Sequence, residues 1–288
     1  MSLSQKCLAL LATALAAVAW SQPESAREQS TGFDADQPTV LITGSNRGIG
    51  LGFAQHYAEA GWNVIATTRT PGTADVLNQL AAQFARVRVE ELDVLDAAEL
   101  AGLAAKYAAT PIDLLINNAA FHGGEPEDQQ FGSFNFQTFQ RYMAVNTFGP
   151  LAVSEAFYSS VAMSEQRRIV TLTTGLAILS QEVPLPGIHF QAISKAAANR
   201  AMRALQFELK QDDITVILMS PGRVLTDGLA AAGRAIQAGM PDGVVIPDDG
   251  PPPMTVTEAV SAMAGTIANV DTGYDGSHID LFGNKMPW

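Results

Sequence analysis

The sequence contains almost no cysteine and no arrangement of residues typical of a metal site. Cys7 is the only cysteine among 288 residues, so a disulfide within one chain is excluded. The four histidines are far apart, and no Cys or His pair has the spacing of a zinc ligand set. No internal repeat occurs either, which argues against a solenoid or a repeat array.

Positive charge is also scarce. There are 17 Lys and Arg residues against 29 Asp and Glu residues, and the net charge is −12. Nucleic acids and anionic membrane surfaces are bound through basic patches, so both are argued against as partners. With 288 residues, 47% of them hydrophobic, the chain can form one large domain. A small-molecule substrate is the expected partner, and self-association into a homo-oligomer stays open.

The first residues are typical of an export signal. Lys6 precedes an apolar run over residues 7–18, and Ala17-Val18-Ala19 fits a cleavage site. The run is shorter than the roughly 20 residues of a transmembrane helix, so we expect no membrane span in the mature chain. We predict a signal peptide over 1–19, a disordered lead-in over 20–37 and a folded domain over 38–288. Export, to the periplasm in a bacterium, is the preferred interpretation. The alternative is that the segment is an uncleaved tether or follows from a misassigned start codon, and the alternative location is the cytoplasm.

A glycine-rich stretch follows the first apolar run of the folded region. Residues 40–42 predict a buried strand, and apolar residues at helical spacing follow in 51–58. The turn between them is Thr43-Gly44-Ser45-Asn46-Arg47-Gly48-Ile49-Gly50. Glycines let the backbone approach a ligand, and a helix N-terminus attracts phosphate. A nucleotide site is the preferred interpretation, and a plain turn is the alternative.

The glycine spacing resembles that of the short-chain dehydrogenase/reductase family. Residues 117–120, Asn-Asn-Ala-Ala, are similar to the family's Asn-Asn-Ala-Gly, and residues 221–226 are similar to its Pro-Gly-x-Val-x-Thr. The ending over 275–288 resembles the C-factor and carbonyl-reductase-like branch. The resemblance covers about residues 39–288. It implies one α/β domain, a Rossmann-type doubly wound parallel sheet of about seven strands with a cleft at the carboxyl ends of the strands.

A preference between nicotinamide cofactors follows from the end of the second predicted strand. That strand ends at Arg69, and no Asp or Glu lies between Val64 and Pro71. A carboxylate there would bind a ribose 2′-hydroxyl, whereas arginine accommodates a 2′-phosphate. With Arg47 in the glycine turn, this favours NADP(H), with NAD(H) as the alternative; two ordinary surface arginines are the competing interpretation. The positions that the resemblance implies for cofactor binding are Thr43, Gly44, Asn46, Arg47, Gly48, Ile49, Gly50, Arg69, Asp93, Val94, Asn117, Ala119, Lys195, Pro221, Gly222, Val224 and Thr226.

The family's catalytic tetrad is degenerate in this sequence. Asn146, Thr174 and Lys195 match its asparagine, serine and lysine, and threonine keeps a hydroxyl that can polarise a carbonyl. The family's tyrosine, four residues before the lysine, is replaced by Gln191, and no tyrosine lies between residues 158 and 274. Glutamine does not titrate in the useful range and cannot supply the proton. The resemblance still implies that Lys195 binds the nicotinamide ribose.

Two histidines are weighed for a catalytic role, His189 as a replacement acid. His122 lies in a glycine-rich loop beside the expected cofactor site, but no partner is visible in the sequence, so a solvated loop residue is favoured. His189 lies six residues before Lys195 and therefore off its helical face. Four phenylalanines precede the predicted helix around Asn146, and core packing or an apolar substrate wall explains them equally well; they are Phe131, Phe134, Phe136 and Phe139.

Three functions remain open. The leading one is an NADP(H)-dependent oxidoreductase acting on a carbonyl or hydroxyl group of a small molecule, with an atypical proton donor. The second is an NADP(H)-binding pseudoenzyme, and the third is a non-redox enzyme in the same pocket. The sequence leans towards an enzyme without deciding the question. An export signal conflicts with a cytoplasmic cofactor, so either the signal is wrongly identified or cofactor binding is vestigial or unusual.

Overall fold

The computed structural model describes residues 33–180, 185–240 and 252–288. The predicted signal peptide and most of the predicted lead-in lie outside these residues, as does the segment 241–251. Residues 34–37, at the end of the predicted lead-in, bind the start of the second strand: Asn63 donates from Nδ2 to the carbonyl oxygens of Asp34 and Gln37 at 2.8 and 3.0 Å. Asp34 also pairs with Arg86 at 3.3 Å.

Apolar runs form seven parallel strands in one sheet. In chain order the strands are β1 Thr39–Ile42, β2 Asn63–Thr68, β3 Val87–Glu91, β4 Leu114–Asn117, β5 Arg168–Leu172, β6 Thr215–Ser220 and β7 His278–Asp280. Their order across the sheet is β3-β2-β1-β4-β5-β6-β7. Every pairing is parallel. All residues of β1, β2, β4 and β6 are buried, as expected for a parallel sheet covered on both faces. The order reverses between β1 and β4, which is where ligands bind in such sheets.

The connections between strands are helical. In chain order the helices are α1 Gly48–Glu59, α2 Asp75–Gln83, α3 Ala97–Lys106, α4 Phe136–Met143, α5 Gly149–Ala156, α6 Tyr158–Ala162, α7 His189–Leu209, α8 Asp227–Gly239 and α9 Val256–Asn269. Helices α1, α2 and α9 pack on one face of the sheet in one apolar core. Helices α3, α5 and α7 pack against one another and cover the opposite face. The predicted doubly wound α/β fold is confirmed.

Helix boundaries follow their capping residues. Asp96 accepts from the backbone N–H groups of Ala98 and Glu99 at the start of α3. Thr255 and Glu258 form a capping box at the start of α9, in which each side chain accepts from the other's backbone N–H. The long helix predicted around Asn146 is interrupted, because residues Ala144–Phe148 form a π-helical turn between α4 and α5. Such turns occur mostly at functional sites.

Two further features follow from the helices and side chains that the structure describes. None of the helices in the described ranges is both long and apolar enough to cross a bilayer. Within the same ranges, no group of three or more His, Cys, Asp or Glu side chains could hold a metal ion.

Candidate functional site

The glycine turn is packed too tightly for other residues. Gly44 has a φ of +69°, and a Cβ there would lie 3.0 Å from Cα of Ala119. At Gly50 a Cβ would lie 2.2 Å from the Gly44 carbonyl oxygen and 2.5 Å from Nδ2 of Asn118. Since these neighbours include backbone, they cannot move aside cheaply. The turn therefore brings the N-terminus of α1 close against the loop after β4.

Thr43 joins the glycine turn to the loop after β4. Its hydroxyl oxygen accepts from the backbone N–H groups of Asn118 and Ala119 at 3.1 and 3.0 Å. In return, Asn118 donates from Nδ2 to the carbonyl oxygens of Thr43 and Gly44 at 2.8 and 3.0 Å. Thr43 is 1% exposed. It supports the predicted cofactor site from below and does not line it.

A cleft of about 780 Å³ opens at the carboxyl ends of β1, β2, β3 and β4. This volume is in the range of cofactor sites. Ten of the predicted cofactor residues line it, namely Gly44, Asn46, Arg47, Gly48, Ile49, Arg69, Asp93, Val94, Ala119 and Thr226. The start of α1 belongs to the wall, so its free backbone N–H groups and positive dipole end are available to an anion.

The two arginines predicted to bind a 2′-phosphate both line the cleft. The Arg69 side chain has no hydrogen bond or ion pair to any described residue. Arg47 donates from Nη1 to Oδ2 of Asp227 at 3.0 Å, and the side chains of this pair are 72% and 80% exposed. Exposed pairs of this kind stabilise proteins by only about 0–1 kcal/mol. Arg47 can therefore exchange Asp227 for a phosphate at little cost.

The other predicted cofactor residues lie outside the wall of the cleft. Asn117 is buried and donates from Nδ2 to Ser154 on α5 at 3.1 Å, which links β4 to the helix layer. The segment after β6 pairs with residues near α9, since Leu225 N–H donates to the Met254 carbonyl at 2.9 Å. The predicted cofactor residues that do not line the cleft are Thr43, Gly50, Asn117, Lys195, Pro221, Gly222 and Val224.

Asn146 is fully buried in the π-helical turn, and its amide is already occupied. Oδ1 accepts from the Phe121 backbone N–H at 2.7 Å, while Nδ2 donates to the Phe121 carbonyl at 3.2 Å and to the Ser194 hydroxyl at 3.1 Å. A mid-helix amide must find such partners when buried. The family role implied for Asn146 is to hold a water; here it holds the residue before His122 and the residue before Lys195.

Lys195 is 5% exposed and donates from Nζ to the Leu172 carbonyl at 2.8 Å. Burial disfavours the charged form and lowers the pKa of Lys195 to about 8. The lysine thus lies beneath the end of β5. It lines neither the cleft nor the smaller cavity described below.

We expect this burial to appear in the pH dependence of stability. The folded protein loses the Lys195 proton near pH 8, whereas the unfolded chain keeps it to about 10.5. Between these values the unfolded state binds more protons, so the free energy of unfolding rises with pH. Relative to Lys195→Met, the wild type should gain up to about 1.4 kcal/mol per pH unit and about 3 kcal/mol in total. Urea unfolding of both proteins from pH 7.5 to 10 measures this, and a constant difference would contradict it.

Thr174 ends β5 at the position of the family serine and is half-buried. Its hydroxyl oxygen accepts from the Leu176 backbone N–H at 3.3 Å, which caps the short 3₁₀ turn Gly175–Ala177. A hydroxyl that accepts this bond still has its own hydrogen to donate. Thr174 does not line either of the two cavities. Its role in polarising a substrate stays a prediction.

A second cavity, of about 320 Å³, adjoins the cleft. It lies between the loop after β4, the first residues of α7 and the middle of α8. Its lining residues are His122, Gly123, Gly124, Glu125, Gln129, Tyr142, Ile188, Gln191, Ala231, Ala232, Arg234 and Ala235. His122, Gly123, Ala231 and Arg234 also line the larger cleft. The two spaces thus meet at His122, as a cofactor site and a substrate site must.

His122 has a partner that the sequence did not reveal. Its Nδ1 lies 2.8 Å from Oε1 of Gln191, the residue that stands in place of the family tyrosine. The favoured interpretation of His122 as a solvated loop residue without a partner is wrong in this respect, although the ring keeps contact with solvent. The residues are 69 positions apart, and only the fold brings them together.

Gln129 is a site residue that no pattern in the sequence indicates. Its Oε1 accepts from the backbone N–H groups of Phe190 and Gln191 at 2.9 and 3.2 Å, and its Nε2 donates to the Tyr142 hydroxyl at 3.1 Å. It therefore caps the first turn of α7 from a distant loop. A signal could only have come from the absence of a capping side chain just before α7.

His189 and the phenylalanines lie outside both cavities. His189 Nδ1 is 2.7 Å from the Gln129 carbonyl oxygen, and its ring packs edge-on against Phe134. Phe134 and Phe139 both pack against Phe190, so they serve core packing. Phe131 is 92% exposed. None of the four phenylalanines lines either cavity, so their interpretation as an apolar substrate wall has no support from these cavities.

Comparison with known proteins identifies the family. The model of the short chain dehydrogenase family matches residues 38–236. An uncharacterised oxidoreductase of Schizosaccharomyces pombe is 28% identical over 251 residues, 86% of this chain and 96% of its own. C-signal of Myxococcus xanthus is 27% identical over 178 residues, 62% of this chain and 93% of its own. The NADPH-bound carbonyl reductase from chicken fatty liver matches with a TM-score of 0.75 at 25% identity, over 88% of this chain and 99% of that chain. The chain therefore belongs to the short-chain dehydrogenase family, as the glycine turn and the motifs after β4 and β6 predicted.

Proposed function

We propose that the protein is an NADP(H)-dependent oxidoreductase that reduces a carbonyl group of a small molecule, or oxidises the corresponding alcohol. The observation that carries the proposal is the meeting of the cofactor-sized cleft and the smaller cavity at His122. Family membership supports the reaction class, and the NADPH bound to the chicken carbonyl reductase supports the cofactor.

The cleft fits a nicotinamide dinucleotide on its own geometry. Gly44 and Gly48 line its wall beside the N-terminus of α1, so that backbone without side chains faces the cleft. Arg69 has a guanidinium group without a described partner, at the end of β2 where the adenosine ribose is expected. No carboxylate follows β2 before the turn at Pro71. These residues would hold a pyrophosphate and a 2′-phosphate, so NADP(H) is favoured over NAD(H).

Within this proposal each group of residues has a separate task. When bound, NADPH supplies the hydride. The start of α1 binds the pyrophosphate, and Arg69 with Arg47 binds the 2′-phosphate. The smaller cavity, walled by Tyr142, Ile188 and α8, orients the substrate and excludes water. The proton comes from a group other than tyrosine, because Gln191 stands at that position.

Purified protein tests the proposal in two separate measurements. We expect saturable binding of NADPH, followed by its fluorescence, with weaker binding of NADH. We also expect oxidation of NADPH, followed at 340 nm, with at least one member of a panel of aldehydes and ketones of graded size. No saturable binding of either nucleotide would reject the cofactor. Tight NADPH binding without turnover on the panel would favour the pseudoenzyme instead.

A further inference from the structure

We propose that His122, oriented by Gln191, is the catalytic proton donor that replaces the tyrosine of the family. This inference rests on the proposed function and names the residue that the incomplete motif leaves open. It is carried by the position of His122 where the two cavities meet and by its contact with the residue that took the tyrosine's place.

The contact between the two side chains determines which ring nitrogen faces the substrate. Oε1 of Gln191 can only accept, so Nδ1 of His122 carries a proton and donates it over 2.8 Å. Nε2 has no hydrogen-bond partner among the described residues. Because His122 lines both cavities, Nε2 is the ring nitrogen left to meet a substrate there. Gln191 thus occupies the position of the family's proton donor but acts as a positioning residue for His122.

The surrounding structure holds both partners of this pair. Asn146 binds both the N–H and the carbonyl group of Phe121, directly before His122. The same amide binds Ser194 on α7. Gln129 caps α7 at Gln191. The loop and the helix that carry the pair are therefore fixed to one buried amide, as a preorganised site requires.

The surroundings of His122 lower the pKa of its ring. Desolvation in the cleft lowers the pKa of His122 below its usual 6.5, the bond to Gln191 raises it, and the positive charges of Lys195 and Arg47 lower it further. Arg234 on α8 and Glu125 on its own loop line the same cavity. The imidazolium form is thus populated on the acidic side of neutrality and gives up its proton readily.

The proton and electron balance of the step is complete. In reduction the carbonyl carbon gains a hydride, and the C=O bond becomes C–O as the oxygen takes a proton. The Nε2–H bond of the His122 imidazolium breaks, which leaves a neutral ring that solvent protonates again. NADPH is oxidised to NADP⁺ in the same turnover. In the oxidation direction the neutral ring takes the alcohol proton, so the two directions need opposite protonation states.

The first test removes the imidazole and keeps a hydrogen-bonding side chain. We expect His122→Gln to lower kcat for carbonyl reduction about 100-fold or more, the usual effect of losing a general acid, with the Kd of NADPH within about threefold of wild type. The matched control is His56→Gln on α1, which should retain wild-type kcat. The wild-type reduction rate should fall as pH rises through the pKa of His122, which burial holds below its usual 6.5, whereas the residual rate of His122→Gln should lack this dependence.

The second test changes the pKa of His122 without removing it. Gln191→Glu places a carboxylate at the Nδ1 position, and an adjacent opposite charge raises the pKa of a histidine by about 1–3 units. NMR titration of the His122 ring, assigned by its loss in His122→Gln, should show that shift in the protein without cofactor. The falling limb of the reduction profile should move to higher pH by the same amount. A purely structural His122–Gln191 contact would shift the NMR titration and leave the pH–rate profile where it was.

The outcomes separate this inference from the function on which it rests. A wild-type protein that binds NADPH and reduces no carbonyl overturns both. An active wild type with an equally active His122→Gln variant overturns only the assignment of the donor. The assignment is supported if the wild type is active, the His122→Gln variant is slow, and the pH–rate profile of Gln191→Glu follows the pKa of His122 measured by NMR.

Discussion

Gly50→Ala is expected to destabilise the protein by about 3 kcal/mol and to abolish measurable NADPH binding. The added methyl group would lie 2.2 Å from the Gly44 carbonyl oxygen and 2.5 Å from Nδ2 of Asn118. Neither atom can yield without opening the contact between the glycine turn and the loop after β4. Overpacking against backbone costs about 1–3 kcal/mol or more, which exceeds the roughly 1 kcal/mol by which alanine favours a helix. Urea unfolding and NADPH fluorescence titration measure the two effects.

A second glycine provides the matched control. Gly265 lies in α9, and a Cβ there would meet no heavy atom within 4 Å. Gly265→Ala should therefore stabilise the protein by about 0.5–1 kcal/mol through helix propensity alone and leave NADPH affinity unchanged. If Gly50→Ala behaved like this control, the tight contact at the glycine turn would have no energetic consequence.

Arg69→Asp is expected to reverse the cofactor preference. Charge-assisted hydrogen bonds are worth about 1.5–3 kcal/mol, and the new carboxylate also repels the 2′-phosphate. Because about 1.4 kcal/mol is a factor of ten, the Kd of NADPH should rise about 100-fold or more. The Kd of NADH should fall, since aspartate can accept from the 2′-hydroxyl. Parallel titrations with both nucleotides give the ratio.

Arg200→Asp is the control for net charge. Arg200 lies exposed on α7 and lines neither cavity, so the same change of two charge units should leave the NADPH to NADH ratio within about threefold of wild type. Repeating the titrations at higher ionic strength separates long-range attraction from contact, because salt screens the former. An unaltered ratio in Arg69→Asp would mean that the 2′-phosphate binds elsewhere.

The fold and the cofactor cleft could be predicted because their signals are local. Apolar runs bounded by turn residues predicted the strands within a few residues, and the run from Thr43 to Gly50 carries its steric requirement in consecutive positions. The capping box at Thr255 is likewise contained within four residues. Hydrophobic periodicity and short motifs are the signals from which a single sequence predicts structure most directly.

The contacts of the candidate catalytic residues could not be predicted, because they join distant segments. His122 and Gln191 come into contact only because α7 packs beside the loop after β4. The replacement of tyrosine by Gln191 does not by itself indicate which residue Gln191 contacts. The resemblance to the family assigns Asn146 and Lys195 to positions of its catalytic motif. It did not foretell that Asn146 would bind Phe121 and Ser194, or that Lys195 would bind the Leu172 carbonyl. Long-range side-chain geometry depends on tertiary packing.

The hydroxyl of Thr43 also determines when in folding the site comes into existence. It joins the end of β1 to the loop after β4, 75 residues later, and β4 pairs with the edge of β1 that β2 leaves free. Closing so long a connection is slow compared with helix formation, because the connecting segment loses conformational entropy before the contact between β1 and β4 contributes to stability. We therefore expect a refolding chain to form its helices and the β1–β2 pair before it can bind a nucleotide. Nucleotide binding then stabilises only chains that have completed the central pairing, which selects against partly folded forms.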